Sequence, residues 1–241
     1  MNFILSIFFS HLKAKHLLIL LLFFNLKIYG ATPTTVKILK ANAYKDNTSL
    51  LVYKEIHTLN FLQNNIHTSK TEYYNQKNDN FAEMISDYSQ NTKVPTYIFK
   101  DFRTDYTEGI KVIGKKYFMF RKIKNSQEEI KEIQLKESYF AGQAWHYYII
   151  KNLNKVDFNN FTMKLILPGR LDVYSFQFKK TSHEKNILKI KLEFKSWFLR
   201  LFASHFNLSY DTENKKILSF NGISNIQDNN GKTQNVTIIY E

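Results

Sequence analysis

From Leu50 onward apolar and polar residues tend to alternate along the chain, the pattern of strands that bury one face. Leu51, Tyr53, Leu59 and Phe61 share one parity, with Glu55 and His57 between them. In the stretch from Phe81 to Tyr88, residues Ala82, Met84, Ser86 and Tyr88 fall on one face and Phe81, Glu83, Ile85 and Asp87 on the other. Asn186 to Phe194 sets Ile190, Leu192 and Phe194 against Lys189, Lys191 and Glu193. Polar clusters at 75–80, 125–127, 211–214 and 228–231 separate such runs, as hairpin turns do. Pro95 demotes its own stretch to an edge strand or extended loop. Together the runs predict about ten to twelve strands at hairpin spacing.

Ala141 to Asn152 differs. Trp145, Tyr148, Ile149 and Leu153 recur at helical spacing, so this is the clear helix of the chain. Ser196 to Ala203 is apolar on all sides and reads as a short buried helix or a plugged loop. Strand–turn–strand order with almost no crossover helix points to an antiparallel sheet. A sheet of this many strands curls or closes rather than lying flat. The expected fold is mainly β: a curved antiparallel sheet or unclosed β-barrel with one helix packed across it.

The first 31 residues carry no Asp or Glu, and Lys13, Lys15 and His16 precede the apolar run Leu17 to Phe24. A basic start, a short apolar stretch and small residues near Gly30 and Ala31 make a secretory signal peptide. The run falls short of the roughly 20 residues a spanning helix needs. The alternative is an uncleaved N-terminal anchor. Either way the remainder lies outside the cytoplasm, in the periplasm or an equivalent exported location. Residues 32–48, opening Thr32-Pro33-Thr34-Thr35, read as a loose polar leader. Residues 49–241 read as a single antiparallel β domain.

Charge narrows the partners. The 241 residues hold 34 Lys+Arg against 21 Asp+Glu, a net charge of +13. Loss of Lys13, Lys15 and Lys27 with the signal lowers it to +10. Arg stands only at 103, 121, 170 and 200, so the charge is Lys-driven and spread along the chain. Nucleic-acid readers favour clustered Arg, whose planar fork pairs with phosphate and guanine. No nucleic-acid partner is expected, whereas contact with an anionic membrane surface needs only charge. The absence of Cys excludes disulfides, thiolate metal sites, thiol catalysis and a lipid-modified Cys.

Three groups are candidates for chemistry. Asp101, Arg103 and Asp105 would share a face in a strand, with Arg103 as a fork for an anionic group and Asp101 orienting it. The commoner outcome for such a trio is a structural ion pair. Glu55 and His57 also share a parity and are suited to acid–base work or metal binding, given a third ligand or a nucleophile. The alternative is a pair packed in the sheet. The aromatics are the third group: 21 Phe, 15 Tyr and 2 Trp. Trp145 and Tyr148, and Trp197, Phe198 and Phe202, gather where a curved sheet can leave an apolar groove. The competing reading is a core filled with aromatics, and burial of the Trp197 segment is favoured over exposure. No phosphate loop, dinucleotide fingerprint or His-Glu-x-x-His motif is present. No catalytic residue, metal or cofactor is expected.

Several short segments carry a resemblance. They are Tyr53-Lys54-Glu55-Ile56-His57, the stretch from Pro95 to Thr104 with Gly109, Leu167-Pro168-Gly169-Arg170-Leu171, and Gly222 to Ile226 before the strand Val236 to Tyr240. In this order they resemble a family of secreted, uncharacterised proteobacterial proteins, over most of residues 50 to 241. The layout is also similar to periplasmic outer-membrane lipoprotein carriers, whose curved sheet is overlaid by helices on its concave face. The single clear helix here departs from a complete carrier lid. The resemblance implies export and an unclosed barrel, and it supplies no catalytic residues. The expected function is non-catalytic: binding a hydrophobic small molecule or lipid, or assisting envelope assembly. The alternative is a hydrolase or metal-dependent enzyme using Glu55, His57 and the 101–105 segment.

Overall fold

The structure is a computed structural model that describes residues 34–202, 205–228 and 230–241, without the side chains of Leu201 and Phe202. The expected signal peptide, residues 1–31, lies outside these residues.

Eight strands follow one another as an antiparallel meander: β1 (Thr34–Lys45), β2 (Leu51–Leu62), β3 (Asn65–Tyr74), β4 (Asn80–Asp87), β5 (Thr96–Asp101), β6 (Tyr106–Ile113), β7 (Lys116–Ile123) and β8 (Glu129–Ile133). Next come β9 (Tyr139–Ala141), helix α1 (Ala144–Lys151), β10 (Thr162–Leu167), a 3₁₀ turn at Pro168–Arg170, β11 (Asp172–Glu184) and β12 (Ile187–Phe194). Helix α2 (Trp197–Phe202), β13 (Phe206–Asp211), β14 (Lys216–Ile223) and β15 (Asn235–Tyr240) complete the chain. All the strands join in one sheet, ordered β8 down to β1, then β15 down to β9. The pairing is antiparallel except between β9 and β10, which run parallel. The described residues thus hold more strands than the sequence pattern predicts.

This order forces curvature. β1 pairs with β15 in the middle of the sheet, with Ala43 opposite Ile238. The chain winds outward to β8, crosses to β9 at the far edge, and winds back. Only residues 134–138 make that crossing, a reach of at most about 20 Å. Laid flat, the sheet would separate its edges by roughly 65 Å. The edges must therefore curl towards each other, giving a barrel that lacks one ladder.

Side chains cover the seam. Arg121 Nη1 donates to Gly169 O at 2.8 Å, and Lys131 Nζ to Leu171 O at 2.9 Å. The Tyr106 hydroxyl donates to Glu108 Oε2 at 2.6 Å. A Cβ on Gly169 would lie 2.3 Å from the Glu108 carboxylate and 2.7 Å from the Tyr106 hydroxyl, so any larger residue would have to displace these two side-chain ends. Burial pushes the Glu108 carboxyl up, against the lowering pull of Tyr106, the Gly169 backbone and Arg121.

The interior is filled by two connected groups. Tyr53, Tyr73, Met84, Tyr97, Phe99 and Ile110 pack in the first half of the sheet. Trp145, Ile149 and Leu153 of α1 and its exit pack on Phe176, Phe178, Ile190, Leu192 and Leu208 in the second. The helical spacing of these three residues gives α1 its buried stripe. Among the described residues no helix is long and apolar enough to cross a membrane.

The leader expectation is corrected: Thr34–Lys45 is a twelve-residue strand paired with both β2 and β15. The β domain therefore includes residues 34–48, expected to lie outside it. The inward positions Ala41 and Ala43 are small, while Val36 and Ile38 stand 55% and 66% exposed. Alanine is a weak strand former, so the pairing reflects available edges rather than local preference.

Candidate functional site

Inward-facing Glu55 and His57 lie on β2, each only 4% exposed. His57 Nε2 is 2.8 Å from Glu55 Oε2, and His57 Nδ1 is 3.0 Å from Thr71 Oγ1. Thr71 is directly opposite His57 in the β2–β3 register. Gln143, which precedes α1, donates from Nε2 to Thr71 Oγ1 at 3.1 Å and accepts from the Tyr147 hydroxyl at 3.1 Å. The result is a chain of polar groups from the sheet to the helix.

Carboxylate, imidazole and hydroxyl stand in the order a hydrolase uses to activate a nucleophile. Thr71, however, is 0% exposed, and its hydroxyl is engaged by both His57 and Gln143. The chain instead fastens the start of α1 to β2 and β3. Each buried group left without its partner would cost about 1–3 kcal/mol. Among the described residues no group of three metal-ligating side chains gathers here or elsewhere.

A second contact fixes the same helix. His146 Nδ1 lies 3.0 Å from the Tyr210 hydroxyl, and its ring stacks on Trp145 with centroids 3.6 Å apart. Burial, with the charge of nearby His57, holds His146 down at about 3, so its imidazole is neutral at physiological pH.

The Asp101–Arg103–Asp105 trio does not share a strand face, because β5 ends at Asp101 and a turn follows. Arg103 Nε donates to Asp101 Oδ1 at 3.0 Å, and Nη2 to Gln227 O at 3.0 Å. The guanidinium also lies 4.1 Å over the Phe81 ring. Asp105 sits apart at the left-handed turn position, φ 50°. Arg103 is thus engaged in tying the 227 loop to the barrel.

The candidate aromatics divide. Trp145 is buried. Tyr148 stands edge-on to Phe140 at 5.1 Å and stacks on Phe161 at 5.8 Å. Both belong to the filled interior. The expected burial of the Trp197 segment is corrected, because Trp197 is 69% and Phe198 55% exposed. The side chain of Phe202 lies outside the described residues.

Polar contacts anchor the helix that presents Trp197 and Phe198. Arg200 Nη1 reaches Phe194 O at 3.2 Å and Glu193 Oε1 at 3.4 Å. Glu193 also binds Lys179 at 2.8 Å, Lys191 at 3.3 Å and Gln177 at 2.7 Å. Although burial pushes the Glu193 carboxyl up, these partners outweigh it and hold it at about 2. Exposed Lys195 precedes the helix, and Lys179 and Lys189 are exposed on β11 and β12.

Sequence reasoning singled out Glu55 and His57 but missed Thr71, Gln143, His146 and Tyr147. The parity of β2 was visible; the register with β3 and the docking of α1 were not.

No family model matches the chain, and no curated protein matches it. Among solved structures it is similar to a β-barrel-like protein of a domain of unknown function, DUF1849, from Brucella abortus. The two share 7% identity over 87% of this chain and 99% of that one, with a TM-score of 0.47.

Proposed function

We propose that the protein is a non-catalytic, exported lipid-surface binder that contacts anionic membrane through Trp197 and Phe198. One observation carries this reading: an aromatic pair stands exposed on a helix whose Arg200 reaches back to Glu193 on the outer face of β12. Water exposure of two large aromatics is unfavourable and marks a contact surface. Aromatic rings suit the membrane–water interface, and the lysines beside them supply attraction to anionic headgroups. The lipid-like ligand is then met outside the barrel rather than inside it, where the aromatic residues are packed together.

Sedimentation of the protein with phosphatidylglycerol vesicles, against phosphatidylcholine vesicles, tests this. The double variant W197S/F198S is expected to lose roughly tenfold or more in partitioning, and salt is expected to weaken the wild-type. Trp197 fluorescence should shift to the blue on binding while buried Trp145 stays constant. Equal binding by the variant, or no binding to anionic vesicles, overturns the proposal.

A further inference from the structure

The outer face of β13, β14, β15 and β1 differs from the rest of this lysine-rich surface. Asn207, Asn221, Thr237 and Tyr44 lie side by side across the four strands. The next row, Ser209, Ser219, Ile239 and Asn42, is also uncharged. The turn at 46–49 and His205 wall the first row into an open cleft of about 1,100 Å³, with no Lys or Arg in its lining. That is somewhat more than the ~300–1,000 Å³ typical of small-ligand pockets, as an open cleft is.

The polar groups are fixed in advance. Asn221 Nδ2 donates to Asp46 Oδ1 at 2.7 Å and to Thr237 Oγ1 at 2.9 Å, and Asn207 Nδ2 donates to Asn221 Oδ1 at 3.2 Å. Asn47 Nδ2 donates to the second Asp46 oxygen at 3.1 Å. Groups held this way lose little rotamer freedom when a ligand arrives. Amides and hydroxyls both donate and accept, which matches ligands whose own groups do the same. The Tyr44 ring adds an apolar face beside them. Asp46 disfavours an anion, and the scarcity of aliphatic side chains disfavours an acyl chain. A lone carboxylate already bonded to three side chains disfavours a metal ion.

We infer that this cleft binds a neutral saccharide chain, its hydroxyls meeting the Asn207–Asn221–Thr237 row and a ring face meeting Tyr44. The inference does not depend on membrane contact by α2, and the two fail separately.

The test is saturation-transfer difference NMR and calorimetry on the full chain. The probes are maltohexaose, cellohexaose and chitohexaose, with a heparin hexasaccharide as the anionic arm. At least one neutral hexasaccharide is expected to bind with Kd of about 1 mM or tighter. Asn221→Ala is expected to weaken it roughly tenfold or more, while W197S/F198S leaves it unchanged. Asn207→Ala, at an exposed position, is expected to weaken it too and serves if Asn221→Ala fails to fold. The inference is overturned by no binding of any neutral probe at about 10 mM. Equal or tighter binding of the heparin fragment also overturns it, as does binding unaffected by the substitutions.

Discussion

Tyr53, Tyr73 and Tyr97 fill the interior beside β2 to β5, whereas Phe140, Phe176 and Phe178 fill it beside β9 to β12. The first half also buries Glu55, His57, Ser69, Thr71 and Asp101. Two of its tyrosine hydroxyls find partners: Tyr53 contacts Ser224 at 2.8 Å, and Tyr73 accepts from Asn225 at 3.2 Å. In the second half, the side chains that fill the interior are mostly apolar. One barrel thus joins two kinds of core. Apolar burial is non-directional and tolerates repacking. A buried polar chain tolerates little, because each lost partner strands another group. Helix α1 serves both, with Trp145 and Ile149 packed in the apolar half and Tyr147, through the preceding Gln143, tied to the polar half.

Removing bulk from the second half should have the largest effect. Phe178→Ala is expected to cost about 3–5 kcal/mol in urea unfolding, from lost transfer energy and the cavity left behind. A loss under ~1 kcal/mol would mean that this half is loosely packed.

Cutting the polar chain comes next. His57→Leu leaves Glu55 and Thr71 without their partner and is expected to cost about 3 kcal/mol. Unlike Phe178→Ala, it should also speed amide exchange at the start of α1, read by hydrogen exchange. If α1 stays as protected as in the wild-type, His57 has no part in holding the helix.

Counted per pH unit, the smallest effect is the response to acid. His146 ionises near 6.5 when unfolded but near 3 when folded. As pH falls below 6.5 the unfolded chain takes up a proton that the native chain refuses, so stability falls. The slope is at most roughly 1.4 kcal/mol per pH unit. Glu108, raised by burial, acts in the opposite sense because the native carboxyl protonates first. The difference between wild-type and His146→Gln isolates the histidine. Identical stability profiles from pH 7 to pH 4 would remove His146 from the acid response.

Legibility followed the range of the interaction. The two faces of the stretch from Phe81 to Tyr88 and the stripe on α1 were readable because each depends on residues a few positions apart. The mainly β, antiparallel architecture was readable from hairpin spacing. Strand β1 was not, since its inner positions are Ala41 and Ala43 and its partner β15 is at the other end of the chain. The orientation of α2 was equally hidden. Trp197 and Phe198 look like core material until Arg200 is seen to hold the helix to β12.

Thr71 shows the boundary within the candidate site. Glu55 and His57 point the same way because a strand alternates faces, which the residue order alone determines. That Thr71 stands opposite His57 depends on the β2–β3 hairpin and the register shift at Asn60 and Phe61. That Gln143 reaches Thr71 depends on a sheet curled far enough to bring α1 over β3. By itself the amino-acid order determined which side chains share a face and that the sheet must curve. Tertiary structure decided which faces meet, because strand pairing and closure are long-range choices, settled by burial and hydrogen bonding over the whole chain.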